Sequence, residues 1–370
     1  MGGALKDVPD HELARVALSG ALERAGVTAD ALDALVLGQV ITAGPSAYNP
    51  RRVGLAAGMR EETPQYGVNQ LCGSGLRAAF EAWKSLTLGE ADVIAAGGVE
   101  SMSQAPYLLP TARFGSKLGH QPMLDALTSA LTCGVTETPM GITAENIAVR
   151  RGITREEQDA FAVESHRRAA HARDSGRFAR EIVPVETKRG VVTRDERPQE
   201  TTLEALAKLR PAFRKDGTVT AGNASGINDG AAMLVLATEA HARAHGLPVM
   251  ARVHGFTSVG VDPLMMGLGP SVAIPRLLER RGLAMKDVDV VEVNEAFAAQ
   301  ALGVARDLSL DPERTNVNGG AVALGHPVGM SGARVLLTLA YELQERNARW
   351  GVASLCIGGG QGIAALIERV

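Results

Sequence analysis

Two periods of apolar positions alternate along the chain, and each change of period marks an element. Over His11 to Ala25, Leu13, Val16, Ala17 and Ala21 recur at helical spacing, and Gly26 closes the segment. Ala34-Leu35-Val36-Leu37 is a short continuous apolar run and predicts a buried strand. Val68-Asn69 leads into the glycine-rich turn Cys72-Gly73-Ser74-Gly75. A helix follows, with Leu76, Ala79, Phe80 and Trp83 on one face and Gly89 as its stop. Val93-Ile94-Ala95-Ala96 predicts the next strand, ending at Gly97-Gly98. Strands alternating with helices predict an α/β class with a mostly parallel sheet.

The pattern is stated twice. Leu22-Glu23-Arg24-Ala25-Gly26 is echoed by Leu278-Glu279-Arg280-Arg281-Gly282. An aspartate follows each glycine, Asp33 and Asp289, and each leads into an apolar strand, Ala34–Leu37 and Val290–Val293. Val68-Asn69 is echoed by Val317-Asn318, each ahead of a Gly-rich turn, a helix, a strand and a glycine cluster. The offset, about 250 residues, is too long for a solenoid and indicates a duplicated half. The second half has a strand, Met250–Phe256, before its helix near Ser271. The residues before the helix of the first half, with Gly2, Gly3 and Pro9, read as loop, so one N-terminal strand is expected to be missing.

The segment between the repeats, 102–227, is different. It carries Pro106, Pro110, Pro122 and Pro139, then a charged helix from Thr154 to about Arg177 with a Thr154/Glu157 capping box. Residues 150–216 hold 16 Lys/Arg and 12 Asp/Glu, a local excess of positive charge in a chain of net charge −3. That excess is read either as a solvated face or as attraction for an anionic, phosphate-bearing ligand. Three divisions are expected: 1–101 with 228–249, 102–227, and 250–370.

Composition narrows the class. With 370 residues, 45% hydrophobic and 21% charged, the chain is globular and holds more than one small core. The slight negative charge argues against nucleic acid as a partner. No apolar run is long enough to span a membrane. Three cysteines exclude a disulfide scaffold and predict a reducing, cytoplasmic setting.

Each cysteine is then either a small buried hydrophobe or a reactive thiol. Cys72 sits between a strand and a helix, where the helix dipole is expected to lower its pKa and free glycine amides to hold an oxyanion. His326, in Gly319-Gly-Ala-Val-Ala-Leu-Gly-His-Pro-Val-Gly-Met-Ser-Gly332, occupies the related place in the second half and is suited to take the Cys72 proton. Cys356 ends a strand beside Gly358-Gly359-Gly360 and is either core or catalytic. Asn294 either caps a helix or holds a water. Cys133 reads as structural. No Cys/His spacing suits a metal, and no phosphate-binding GxxxxGK[ST] loop occurs.

Taken together, NQLCGSGLRA, GGAVALGHPVGMSGAR and CIGGGQG, with VNEAFA and TAGNASGINDGAA, resemble the thiolase family over nearly the whole chain. The resemblance implies a thiolase-like fold: duplicated βαβαβαββ halves in a layered α/β/α/β/α arrangement with an inserted loop domain. It implies reversible Claisen condensation of acetyl-CoA, or thiolysis of short 3-oxoacyl-CoA, through an acyl-cysteine. Cys72 would be the nucleophile, His326 its activator and Cys356 the base for the α-proton. His326 with an Asn294-held water would form one oxyanion site, and the amides of Cys72 and Gly358 the other. Coenzyme A would enter as substrate, with no tightly bound cofactor. Ser225, Ala221 and Phe213 match pantetheine and adenine positions; Leu131, Met140, Met266, Ala296 and Phe297 match the acyl end. Pro110–Leu131 resembles a tetramerisation region, so a homotetramer or dimer is implied.

Three departures stand out. Pro139-Met140-Gly141 replaces the His-Met-Gly of many acetoacetyl-CoA-forming members. Arg197 is the nearest cation to an expected loop arginine. The opening strand, which the resemblance places centrally in its sheet, is absent. Two other readings remain: a longer-chain degradative 3-ketoacyl-CoA thiolase, and a non-catalytic CoA or lipid carrier. Retention of Cys72, His326 and Cys356 together argues against the carrier, and a Cys–His–Asn hydrolase would not need Cys356.

Overall fold

Each apolar run forms the element its period predicts. The computed structural model describes residues 1–115 and 117–370; Ser116, within the Pro110–Leu131 segment, lies outside the described residues. In the first half, α1 (Asp10–Ala25), β1 (Ala34–Gly38), α2 (Asn49–Ala56), β2 (Gln65–Val68), α3 (Ser74–Leu88) and β3 (Val93–Ser101) follow in order. The intervening segment carries α4 (Met140–Arg151) and α5 (Arg155–Asp174), and the predicted capping box of Thr154 and Glu157 forms in full. The chain then returns to the first sheet as β4 (Asp229–Ala237).

The second half holds β5 (Ala251–Gly260), α6 (Gly269–Glu279), β6 (Val290–Val293), α7 (Ala298–Leu308), α8 (Ala321–Leu324), α9 (Ser331–Glu345), β7 (Trp350–Ile357) and β8 (Gln361–Arg369). The first sheet has the order β4-β3-β1-β2 and the second β5-β8-β7-β6, with Thr315 bridging the outer side of β6. β4 and β8 run antiparallel to their neighbours β3 and β7, whereas β1–β3 and β6–β7 are parallel. The two halves therefore superpose in topology as well as in sequence. The Asp33 and Asp289 carboxylates do the same work in each: they accept from the amides that open β3 (Asp92, Val93) and β7 (Arg349, Trp350).

Three expectations need correction. β3 runs through Gly97-Gly98 to Ser101, since β4 pairs it along its whole length. Val317 is no strand; only the isolated bridge of Thr315 stands where β2 stands in the first half. The third concerns the missing strand. Its counterpart, β5, lies at the edge of the second sheet against β8. The matching place is thus the outer edge of β4, not the centre of the sheet. Among the described residues no strand pairs with that edge, and a cavity of about 1140 Å3 lies along it, lined by Leu13 and Ala17, Met233 and Val235, and Leu336.

The central helices α3 and α9 bring the halves together. A Cβ on Gly75 would lie 2.7 Å from the Ala333 nitrogen, and one on Gly332 only 2.3 Å from that of Leu76. Only glycine allows backbones this close. The contact falls in the first turn of both helices, so the loops entering them meet at one end of the molecule. Those loops carry Cys72 and His326.

Candidate functional site

Cys72 sits in a tight turn that the sequence folds against itself. Leu71 adopts φ +48°, a left-handed conformation costly for a branched side chain. Local bonds hold it there. The Leu71 amide donates to Asn69 Oδ1 at 3.0 Å, and the Ser74 hydroxyl donates to the Leu71 carbonyl at 2.7 Å. Gln70 Nε2 reaches Ser258 Oγ at 2.9 Å and Gln361 Oε1 at 3.0 Å, pinning the turn to the second sheet. Neither Gln70 nor Leu71 was indicated by apolar patterning, because a strained backbone leaves no compositional trace.

The amides of Gly358 and of Cys72 itself favour the charged form of the Cys72 sulfur, and Leu71 packs on Gly358. These are the two amides the resemblance implies for one oxyanion site. The pKa expectation is overturned. Burial pushes the Cys72 thiol up, the two amides pull against this, and the Glu100 charge adds to the rise. Cys72 is therefore a neutral thiol that needs a base.

His326 lies on the loop that enters α9, at the end of the molecule where the Cys72 loop enters α3. It is buried, and burial with the charge of Arg334 lowers its pKa to about 4, so the ring is neutral at pH 7. Its Nδ1 lies 2.6 Å from Ser331 Oγ, and that hydroxyl donates to the Pro327 carbonyl at 2.9 Å. The hydroxyl proton being committed, the serine oxygen accepts from Nδ1–H, which assigns the free lone pair to Nε2. Asn294 Nδ2 is 3.4 Å from Nε2. Asn294 is not a helix cap, since Phe297 is the residue that precedes α7. Its Oδ1 is buried without a partner, which suits the holding of a water.

Cys356 lies one residue from the end of β7, buried. Burial raises its pKa far above the usual thiol range, and the charge of Cys72 raises it further, which puts the two sulfurs within electrostatic reach. Cys133 is buried in the same apolar cluster as Cys356. Among the described residues, no three His, Cys, Asp or Glu side chains group as a metal site.

The positions matched to an acyl-CoA range from exposed to buried. Ala221 is exposed and Phe213 partly so. The Phe213 ring covers Gly141 so closely that a Cβ there would lie 2.2 Å from it, and it meets Phe297 edge-on at 6.1 Å. The Ser225 amide donates to the Ala296 carbonyl at 3.0 Å. Deeper in, Met140, Met266, Ala296, Phe297 and Cys356 share one apolar cluster. The sulfur of Met140 stands over Gly358. Leu131 packs instead in the cluster that contains Cys72, with Ile41, Met102 and Val328. Pro139 is exposed at the end of a short hairpin and leads directly into α4. Arg197 packs against Gly226, beside Ser225, and donates to the Val322 carbonyl at 3.2 Å.

Residues 1–240 match the family model for the thiolase N-terminal domain and residues 247–369 that for the thiolase C-terminal domain. The chain belongs to the thiolase family. It is 48% identical to the acetyl-CoA acetyltransferase of Pseudomonas aeruginosa, over 99% of this chain and 95% of that protein. It is likewise 48% identical to a probable acetyl-CoA acyltransferase of Staphylococcus aureus, over 100% of this chain and 95% of that protein. Among solved structures, human mitochondrial 3-ketoacyl-CoA thiolase in complex with CoA superposes with a TM-score of 0.97 at 46% identity, covering 100% of this chain and 94% of that one. The acetyl-CoA acetyltransferase of Bacillus anthracis gives the same TM-score at 44% identity. This thiolase thus has the duplicated α/β fold expected of it. No helix among its described residues is long and apolar enough to cross a membrane.

Proposed function

We propose that this thiolase condenses two acetyl-CoA molecules to acetoacetyl-CoA and CoA, and runs the reverse thiolysis on short 3-oxoacyl-CoA. His326 Nε2 takes the Cys72 proton, and the thiolate attacks the acyl carbonyl. The amides of Cys72 and Gly358 receive the oxyanion, which needs donors aimed where charge develops. His326 then returns the proton to the departing CoA sulfur. When a second acetyl-CoA enters, Cys356 passes its own proton to His326 Nε2, and the thiolate so formed removes the α-proton. The enolate oxygen is held by the protonated Nε2 of His326 and the Asn294 water. The carbanion attacks acyl-Cys72, His326 returns its proton to the released Cys72 sulfur, and Cys356 keeps the α-proton, restoring all three groups.

The observation that carries this reading is the buried His326, whose Nδ1 lies on Ser331 Oγ and whose Nε2 faces Asn294, on a loop packed through the Gly75–Ala333 contact against the one that bears Cys72. Hydrolysis of Cys–His type has no use for Cys356. The test is mass spectrometry after mixing with acetoacetyl-CoA, which should place an acetyl group on the Cys72 peptide; an adduct elsewhere overturns the assignment.

Coenzyme A is taken here as substrate, lying along the 102–227 segment over Phe213, Ala221 and Ser225, with its phosphates toward the basic stretch. Assembly as a homo-oligomer, a cytoplasmic setting and a place in fatty acid metabolism belong to the same reading. One observation favours a second reading. Pro139 stands where a histidine would present a donor at the pantetheine path, so a longer-chain degradative specificity competes with the acetyl one. Thiolysis rates across a series of 3-oxoacyl chain lengths separate the two.

A further inference from the structure

Glu100, near the end of β3, is fully buried, yet nothing in the chemistry above uses it. One carboxylate oxygen accepts from the amides of Val40 and Gly329, each at 3.0 Å, and the other from the Ile41 amide at 3.1 Å. Val40 and Ile41 follow β1 in the first half. Gly329 belongs to the second half, three residues after His326. The packing leaves no slack: a Cβ on Gly329 would lie 2.6 Å from the Val99 carbonyl oxygen and 2.7 Å from the Glu100 carboxylate. A Cβ on Gly98 would lie 2.1 Å from the Gly329 carbonyl oxygen. The loop that carries His326 is thus docked on β3, and a carboxylate is its polar fastening.

We propose that Glu100 is a positioning residue: its carboxylate clasps the His326 loop of the second half to the Cys72-bearing first half. A carboxylate suits the task because it is acceptor-only, with two oxygens to share among three amides. The charged and titratable groups acting with it are Asp10 of α1, whose carboxylate accepts from Gln39, and Cys72 itself. Burial raises the Glu100 pKa to about 7, the three amides oppose the rise and Asp10 adds to it. The charge of Glu100 in turn raises the pKa of Cys72.

This inference rests on the reading of Cys72 as nucleophile and His326 as base. The experiment follows two quantities in the full-length protein: kcat and KM for acetoacetyl-CoA thiolysis, and the pH profile of Cys72 alkylation by iodoacetamide. Glu100→Gln keeps the shape but sets an amide NH2 against N–H donors. Its kcat should fall at least about tenfold with KM changed less than about threefold, the mark of a lost transition-state arrangement. Its alkylation profile should move to lower pH. A folded Glu100→Gln protein with wild-type kcat and an unmoved profile overturns the proposal. Glu100→Asp keeps the charge and withdraws the clasp, so kcat should fall while the profile stays; wild-type kcat there is equally fatal. Should Glu100→Gln not fold, Glu100→Asp and the wild-type profile decide, since the latter must show an inflection near pH 7 and its absence overturns the charge coupling. If wild-type protein never acylates Cys72, the underlying reading has failed instead.

Discussion

The Nδ1 of His326 and the hydroxyl of Ser331 lie 2.6 Å apart inside the protein, and this contact assigns the tautomer of the ring. Replacing Ser331 with Ala leaves a buried ring N–H without a partner, at about 1–3 kcal/mol. Thiolysis kcat should fall about ten- to hundredfold, since 1.4 kcal/mol is a factor of ten. Ser331→Thr, which keeps the hydroxyl, should recover part of the loss. Steady-state kinetics on the two variants check this, and equal rates for Ala and wild type would remove the serine from the mechanism.

On the proposed mechanism, replacing Cys356 separates the two half-reactions. In Cys356→Ala, Cys72 keeps His326 and both amides, so acylation by acetyl-CoA should still occur and appear as an acetyl adduct on the Cys72 peptide. Condensation lacks its base and should fall by about 10²–10⁴-fold, the range for loss of a general base. Condensation at the wild-type rate would mean that another group removes the α-proton.

The motif residues and the duplication were legible because they depend on residue type at fixed spacing. The Asp33 and Asp289 positions, the αL glycine after α1 and the capping box of α5 belong to the same category. What failed depends on tertiary surroundings. The Cys72 thiol was expected to be lowered by the α3 dipole, but its burial and Glu100 raise it. Leu71 at positive φ, Ser331 beneath the imidazole and Glu100 across the interface are visible only once the halves are packed. Strand order also escaped, because which edge β5 occupies is set by helix packing and not by its own period.

The outer edge of β4 is a second place to test. The amino group of Met1 donates to the Ile227 carbonyl, just before β4 begins. Extended residues joined ahead of Met1 would run antiparallel to β4, as β5 runs on β8. Nine residues alternating Val or Ile with Thr should pair with β4 and bury apolar surface in the cavity alongside. The melting temperature should rise by about 5 °C or more over a Gly/Ser extension of equal length, given about 2–4 °C per kcal/mol for domains of 150–250 residues. The amides of β4 should gain protection from hydrogen exchange. Equal melting of the two fusions would show that the edge does not accept a strand.

Glu292 gives the pH dependence of stability a definite sign. It is buried on β6, with Arg334 Nη1 3.6 Å away and neither carboxylate oxygen hydrogen-bonded. Burial raises its pKa to about 8 despite Arg334. The folded state therefore holds a proton that the unfolded chain releases near 4.5, so the contribution is fully present below pH 4.5 and is lost as pH rises to 8. Glu100, raised to about 7, acts in the same direction. His326 and His166, both lowered to about 4, act oppositely, but only between pH 4 and about 6.5. Between pH 6.5 and 8 the carboxyls govern, and wild-type stability should fall. In Glu292→Gln no proton is lost there, and the slope should shrink by up to about 1.4 kcal/mol per pH unit, the value of one proton. Urea unfolding at pH 6.5, 7.2 and 8.0 measures both slopes. Parallel slopes for the two proteins would show that Glu292 is already ionised in the folded state at pH 6.5.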